Sequence, residues 1–252
     1  MIGIIGGSGV YRFFETADEE NVETTYGNVK VKRTSYGGKE IVFLARHGEK
    51  HSIAPHKINY RRNILALKKM GVERILATTA VGSMNPAFRP AEFVLPNQFI
   101  DFTKRRNYTL YDDRVVHIDL SEPYCPEMRG IVKKTAEKEG ITVHEGVYVC
   151  TEGPRFETPA EIEMFQKMGA DIVSMTNIPE VIFAREAEIC YCTIAMVTNM
   201  AAGITKNKLT HTEVKEIMDK NIEKVYRLIK KSIEQIPEER GCSCKNALEG
   251  AV

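Results

Sequence analysis

Residues 74–83 read Arg-Ile-Leu-Ala-Thr-Thr-Ala-Val-Gly-Ser, and residues 1–9 read Met-Ile-Gly-Ile-Ile-Gly-Gly-Ser-Gly. In both stretches a short apolar run passes directly into glycine and hydroxyl residues. The event recurs along the chain. Residues 40–44 run into Ala-Arg-His-Gly, 147–150 into Thr-Glu-Gly-Pro-Arg-Phe-Glu-Thr, 171–173 into Ser-Met-Thr-Asn, and 193–197 into Thr-Asn. Short apolar runs bounded by turn residues and separated by helical periodicity read as the strands of an α/β domain. In open α/β sheets ligands bind beyond the carboxyl ends of the strands, so these polar strand ends are the first place to look for a site.

The segments between them carry helix boundaries. Thr158-Pro159-Ala160-Glu161 combines an N-cap, a proline at the first helical position and a capping-box glutamate; the helix it opens runs to Met168 and stops at Gly169. Another helix ends at Met70 before Gly71. The last begins at Thr210-His211-Thr212-Glu213, keeps Val214, Ile217, Met218, Val225, Leu228, Ile229 and Ile236 at helical spacing, and is closed by Pro237. No repeat, linker or low-complexity tract divides the chain. The expectation is one α/β domain over residues 1–237, a mixed central sheet flanked by helices, followed by a frayed tail over 238–252.

Composition narrows the partners. Of 252 residues 43% are apolar and 27% charged, enough for a sizeable core. Thirty-five Lys and Arg against 34 Asp and Glu leave a formal charge of +1, so no global field attracts nucleic acid or an anionic membrane. With no membrane-length apolar stretch and no secretory leader, a soluble cytoplasmic protein with a small-molecule partner is expected. Six cysteines, at 125, 150, 190, 192, 242 and 244, form two Cys-x-Cys pairs. Zinc sites commonly space cysteines by two to four residues, so the one-residue gaps argue against metal; reduced buried thiols and disulfides both stay open.

Several strand-end residues suit an oxyanion. Gly6-Gly7-Ser8-Gly9 lets backbone approach an anion and offers a hydroxyl, but lacks the dinucleotide fingerprint. Arg46-His47, Thr78-Thr79 and Thr176 add a guanidinium fork, an imidazole and hydroxyls from separate strands. The competing reading is that Arg46 pairs with a structural carboxylate. His47, His51 and His56 fall in a Gly- and Pro-containing stretch that no helix would span as metal ligands require, and no nucleophile elbow is present. Glu157, after Arg155-Phe156, and Asn199, ending an apolar run, are polar residues in apolar company; from position alone they are a turn cap or a helix N-terminal partner as readily as ligand contacts.

Taken together, GIIGGSG, ARHG, NYRRNI, TTAVGS, TEGPRFET, the PEV segment and the AREA…CYC…IAM…TN stretch resemble the trimeric purine nucleoside phosphorylase and methylthioadenosine phosphorylase family, from Met1 to about Ile233. The resemblance implies phosphorolysis of a purine nucleoside to free base and a ribose 1-phosphate. Inorganic phosphate is then a co-substrate, with no metal or other cofactor, and the assembly is a homotrimer or a dimer of trimers. By matching motif it assigns phosphate to Ser8, Arg46, His47, Thr79, Ala80 and Thr176. It assigns the nucleoside to Phe156, Glu157, Met175, Asn199, Met200, Ala201 and His211, with Asn199 and Glu157 the catalytic pair at the departing base. Members acting on methylthioadenosine have serine and aspartate where this chain has Glu157 and Asn199, which is the 6-oxopurine pattern. S-methyl-5′-thioinosine, inosine and guanosine are thus the implied substrates. His211 would face a 5′-hydroxyl, whereas ARHG and TEGPRF resemble the methylthioadenosine branch. Methylthioadenosine cleavage, a nucleoside hydrolase and a silent binding protein are the alternatives. Similarity to heat-loving members implies disulfides between Cys125 and Cys192 and between Cys242 and Cys244.

Overall fold

The computed structural model describes residues 1–7, 10, 17–48, 51–206 and 209–251. Strands β1 (Ile2–Gly6), β4 (Lys39–Ala45), β5 (Arg74–Ser83), β7 (Val143–Thr151), β8 (Ile172–Ser174) and β9 (Cys190–Met200) stand where the apolar runs predict them. Three more strands complete the sheet: β2 (Asp18–Thr24), β3 (Gly27–Tyr36) and β6 (Phe93–Phe102). The helices are α1 (Tyr60–Lys69), α2 (Pro126–Lys138), α3 (Pro159–Lys167), α4 (Asn177–Glu186) and α5 (His211–Gln235).

The strand order is β2-β3-β4-β1-β5-β8-β7-β6-β9, and β9 pairs back onto β5. Strands β5, β8, β7, β6 and β9 therefore close on themselves, while β1, β4, β3 and β2 extend as an open wing. Pairing is mixed: β1 lies parallel to β4 and β5, and β5 parallel to β9, but β8 runs antiparallel to β5 and β6 antiparallel to β9. Helices α1 and α4 cover one side, around Ile64, Leu67, Val181 and Phe183. Helices α2 and α5 cover the other, around Met128, Val132, Leu228 and Ile229. This is the expected single α/β domain with a mixed sheet, curled further than an open sheet.

Local chemistry explains the helix ends. Thr158 accepts from the Glu161 amide while the Glu161 carboxylate accepts from the Thr158 amide, a complete capping box at α3. Gly71 and Gly169 take φ of +80° and +86°, a left-handed turn that glycine enters without a Cβ penalty. Thr210 caps α5 by accepting from the Glu213 amide.

The C-terminal segment corrects an expectation. Residues 238–251 are packed, not frayed: Cys244 and Ala251 are buried, the Ala251 carbonyl accepts from the His117 amide at 2.8 Å, and Arg240 donates to the Glu188 carbonyl at 2.6 Å. No apolar periodicity follows Pro237, which is why the sequence reads as a frayed tail there; the segment is held by point contacts instead. Among the described residues no helix is long and apolar enough to cross a membrane.

Candidate active site

A cavity of about 450 Å³ opens at the carboxyl ends of β4, β5 and β8 and at the end of β9. Its wall contains Arg46, His47, Thr79, Ala80, Phe156, Glu157, Met175, Thr176, Asn199 and Ala201, so ten residues singled out in the sequence meet around one space. Met200 is not on the wall; its carbonyl accepts from Asn199 instead. Ser8 lies outside the described residues, and His211 opens α5 with its side chain outside them.

Arg46 pairs with a structural carboxylate, one of the two readings the sequence left open, and it also stands on the cavity wall. Its side chain is fully buried and forks onto Glu180, Nε to Oε2 at 2.7 Å and Nη2 to Oε1 at 2.6 Å, while Nη1 donates to the Thr78 carbonyl at 2.6 Å. A guanidinium has five N–H groups, so two remain after these three bonds. The carboxylate thus fixes the fork with N–H groups to spare at the cavity wall. Glu180 in turn accepts from the Tyr191 hydroxyl at 2.6 Å, and both Glu180 and Tyr191 are buried. Glu180 raises the Arg46 pKa further, so the arginine stays charged despite burial. Gly7 lies close behind: a Cβ there would come within 2.6 Å of the Thr78 carbonyl oxygen, so this backbone tolerates no side chain.

Around Arg46 stand the hydroxyls of Thr79 and Thr176, 3.2 Å apart, with Ser174 3.4 Å from Thr79 and donating to the Ala80 carbonyl at 2.7 Å. His47 Nδ1 lies 2.8 Å from the Ile53 carbonyl. A carbonyl only accepts, so Nδ1 carries the proton and the neutral ring presents Nε2 as an acceptor. Burial, and then the Arg46 charge, push its pKa down to about 3. The folded value lies below the ordinary 6.5 or so, and the contribution to stability is therefore full above that pH and lost as pH falls toward 3. Urea unfolding at stepped pH should show it. Below pH ~6.5 the stability of His47→Gln is expected to fall less steeply than wild type, by up to ~1.4 kcal/mol per pH unit. Parallel slopes would mean that His47 carries no such shift.

At the other end, Glu157 and Asn199 face the same space. Thr151 donates to Glu157 Oε1 at 2.6 Å, and burial pushes the Glu157 carboxyl above its ordinary pKa. Asn199 Nδ2 donates to the Met200 carbonyl at 2.9 Å while Oδ1 accepts from Thr198 at 2.9 Å, which fixes the amide orientation and leaves one N–H. The register between β5 and β9 slips here: Val81 faces Val197 but Gly82 faces Asn199, so Thr198 is the extra residue of a bulge. Bulges re-aim side chains next to sites. A Cβ on Gly82 would come within 3.2 Å of Asn199 Nδ2, so the bare glycine leaves room for that amide.

Glu180, Tyr191, Thr151 and Ser174 carry no role in the reading of the sequence. The signal for Glu180 was present: it is one acid inside the apolar segment Ile178-Pro179-Glu180-Val181-Ile182-Phe183, and a buried charge needs a partner. Leu209, Val214 and Ile53 add an apolar part to the wall.

Comparison with known proteins agrees with this architecture. The model of the phosphorylase superfamily matches residues 1–234. The chain is 54% identical over 260 residues to the "6-oxopurine nucleoside phosphorylase" of Pyrococcus furiosus, covering 99% of this chain and 98% of that one. It is 50% identical over 255 residues to the "Probable S-methyl-5′-thioinosine phosphorylase" of Methanopyrus kandleri, covering 99% and 98%. Among solved structures, methylthioadenosine phosphorylase from Schistosoma mansoni in complex with adenine superposes with a TM-score of 0.93 at 33% identity, over 100% of this chain and 96% of that one. With nearly the whole length matched in sequence and in fold, the chain belongs to the phosphorylase superfamily.

Proposed function

We propose that this chain is a purine nucleoside phosphorylase that cleaves 6-oxopurine nucleosides (S-methyl-5′-thioinosine, inosine and guanosine) with inorganic phosphate. A phosphate oxygen attacks the anomeric carbon, the glycosidic C–N bond breaks with its electron pair going to the purine, and the base takes up a proton. The products are free purine and ribose 1-phosphate or its 5-methylthio counterpart.

The observation that carries the proposal is one cavity with two chemically distinct ends. The Arg46 fork, the Thr79 and Thr176 hydroxyls and the His47 acceptor suit a protonated oxyanion; Glu157 and Asn199 suit a flat heterocycle. Its volume of about 450 Å³ lies in the usual range for small-molecule sites. An anion held under the sugar stabilises the oxocarbenium character of the transition state, and a donor at the purine stabilises the leaving charge. Ser8, Ala80, Phe156, Met175, Met200, Ala201 and His211 belong to the same proposal as phosphate and nucleoside contacts, and phosphate is the one co-reactant. Phe156 is 39% exposed although it lines the cavity, which supports a homo-oligomer, a trimer or a dimer of trimers, in which a neighbouring copy covers this rim. The site of action is the cytoplasm.

The test is a panel of inosine, guanosine, adenosine, methylthioadenosine and methylthioinosine with and without phosphate, the sugar product being identified. Hypoxanthine release that needs phosphate and yields ribose 1-phosphate is expected. Free ribose in phosphate-free buffer would make the protein a hydrolase, and nucleoside binding without turnover would make it a binding protein.

A further inference from the structure

At the other end of β9 from Asn199, four cysteines converge from three parts of the chain. Cys125 is the N-cap of α2, Cys190 is the first residue of β9, and Cys242 and Cys244 come from the segment after α5. Their sulfur atoms all lie within 4.8 Å of one another, with Cys190 and Cys242 at 3.3 Å. Cys125, Cys190 and Cys244 are buried and Cys242 is half-buried. The fold thus assembles what neither Cys-x-Cys pair holds alone, which removes the spacing argument against metal. It also corrects the pairing implied by similarity: the thiol grouped with Cys125 is Cys190, while Cys192, two residues further along β9, is not in the cluster, and all six cysteines are free thiols.

We propose that Cys125, Cys190, Cys242 and Cys244 form a closed tetrathiolate site for one zinc ion. Four sulfurs at about 2.3 Å from a central ion stand about 3.8 Å from one another in a tetrahedron, a spread this cluster meets with small side-chain adjustments. Disulfides would instead draw the sulfurs together in pairs at about 2.05 Å. No such partition exists here. Each of the four sulfurs lies within 4.8 Å of the other three, and none is bonded to another. Soft thiolates select zinc over the hard cations. On binding, four S–H bonds are replaced by four S–Zn bonds, the protons pass to solvent, and no electron is transferred. The product carries two negative charges, one of which the neighbouring Arg185 offsets, and the Met128 amide already points at Cys125 Sγ from 3.5 Å.

With all four positions taken by protein, the ion has no place for substrate and is structural. Nine residues of strand, roughly 30 Å, separate Cys190 from Asn199. What the ion would hold is the C-terminal segment, whose buried side chains among the described residues are Cys244, Ala247 and Ala251. So small an apolar contribution needs a cross-link to dock firmly against β9 and α2.

The experiment uses the full chain, purified with reductant and without chelator or a metal-affinity step. Elemental analysis should find about one zinc per chain, since a preformed buried thiolate site retains its ion through purification. Cobalt(II) added to reduced, metal-free protein should give the visible absorption of tetrahedral cobalt thiolate, saturating at one equivalent, and stripping the metal should lower Tm. Cys242→Ser should lose the metal and Cys192→Ser should keep it. The wild-type cobalt titration stands even where a variant fails to fold. Two disulfides among these four cysteines, four alkylatable thiols with neither zinc nor a cobalt signal, or iron in place of zinc would each overturn the assignment.

Discussion

Arg46→Ala is expected to lower kcat/KM for phosphate by about 10²–10³-fold, the usual cost of removing one preorganised charge-stabilising donor from a water-excluded site. Stability should fall with it. The substitution leaves Glu180, which is fully buried, with Tyr191 as its remaining partner, and breaking a buried ion pair from one side costs roughly 3–5 kcal/mol. The two losses have separate causes, and the double variant Arg46→Met/Glu180→Met separates them. With both charges gone the interior no longer holds an unpaired ion, so most of the stability should return while phosphate-dependent turnover stays down. Thermal unfolding read beside phosphate saturation kinetics makes the comparison. If activity returned together with stability, Arg46 would be a purely structural cation and the phosphate end would have to be sought elsewhere on the cavity wall.

That pair also shows how far the sequence reaches. Arg46, at the end of an apolar run, was readable as an anion ligand or as half of an ion pair, and the structure contains the pair and the placement on the cavity wall. Its partner was hidden because α4 is buried from Asn177 to Glu186; a helix apolar on every side has no amphipathic period to reveal it, and Pro179 breaks the pattern further. Strands β2 and β3 escaped for the opposite reason. Asp18–Thr24 buries only Val22, and Gly27–Tyr36 buries Val29 and Val31 among charged neighbours, too few apolar residues to register as a core strand. Pro96 inside β6 likewise argues against a strand, and the register there slips between Pro96 and Gln98. Strands β1, β4, β5 and β9 were legible because each is largely buried and ends in the polar residues that line the cavity. The cysteine cluster was out of reach: spacing within each pair says nothing about which distant segments the fold brings together.

The Glu157 and Asn199 end of the cavity carries the other large effect expected. A 6-oxopurine presents N1–H and a C6 carbonyl, whereas adenine presents a bare N1 and an amino group. Asn199 has one N–H left to give after its bond to the Met200 carbonyl, and Glu157 on the same cavity wall would, as a carboxylate, accept from an N1–H. Asn199→Asp replaces that donor by an acceptor, so kcat/KM for inosine should fall by one or more decades while activity on methylthioadenosine rises relative to it. A buried polar group left unpaired costs about 1–3 kcal/mol, which is the size of such a change. Glu157→Ser removes the carboxylate that would meet the adenine N1 lone pair, and adding it should push the ratio further; the two residues share one ligand, so their effects need not add. Proton linkage supplies an independent check. Burial raises the Glu157 pKa, so acid protonates it sooner than an ordinary glutamate, and a protonated carboxyl offers an O–H where N1–H needs an acceptor. Inosine cleavage should therefore decline on the acid side with an apparent pKa above the ordinary glutamate value, while cleavage of an adenine nucleoside, whose N1 accepts that O–H, declines less. In Glu157→Ser this difference between the two pH profiles should vanish. A wild-type preference for methylthioadenosine, or unchanged substrate ratios in both variants, would show that neither residue reads the purine edge.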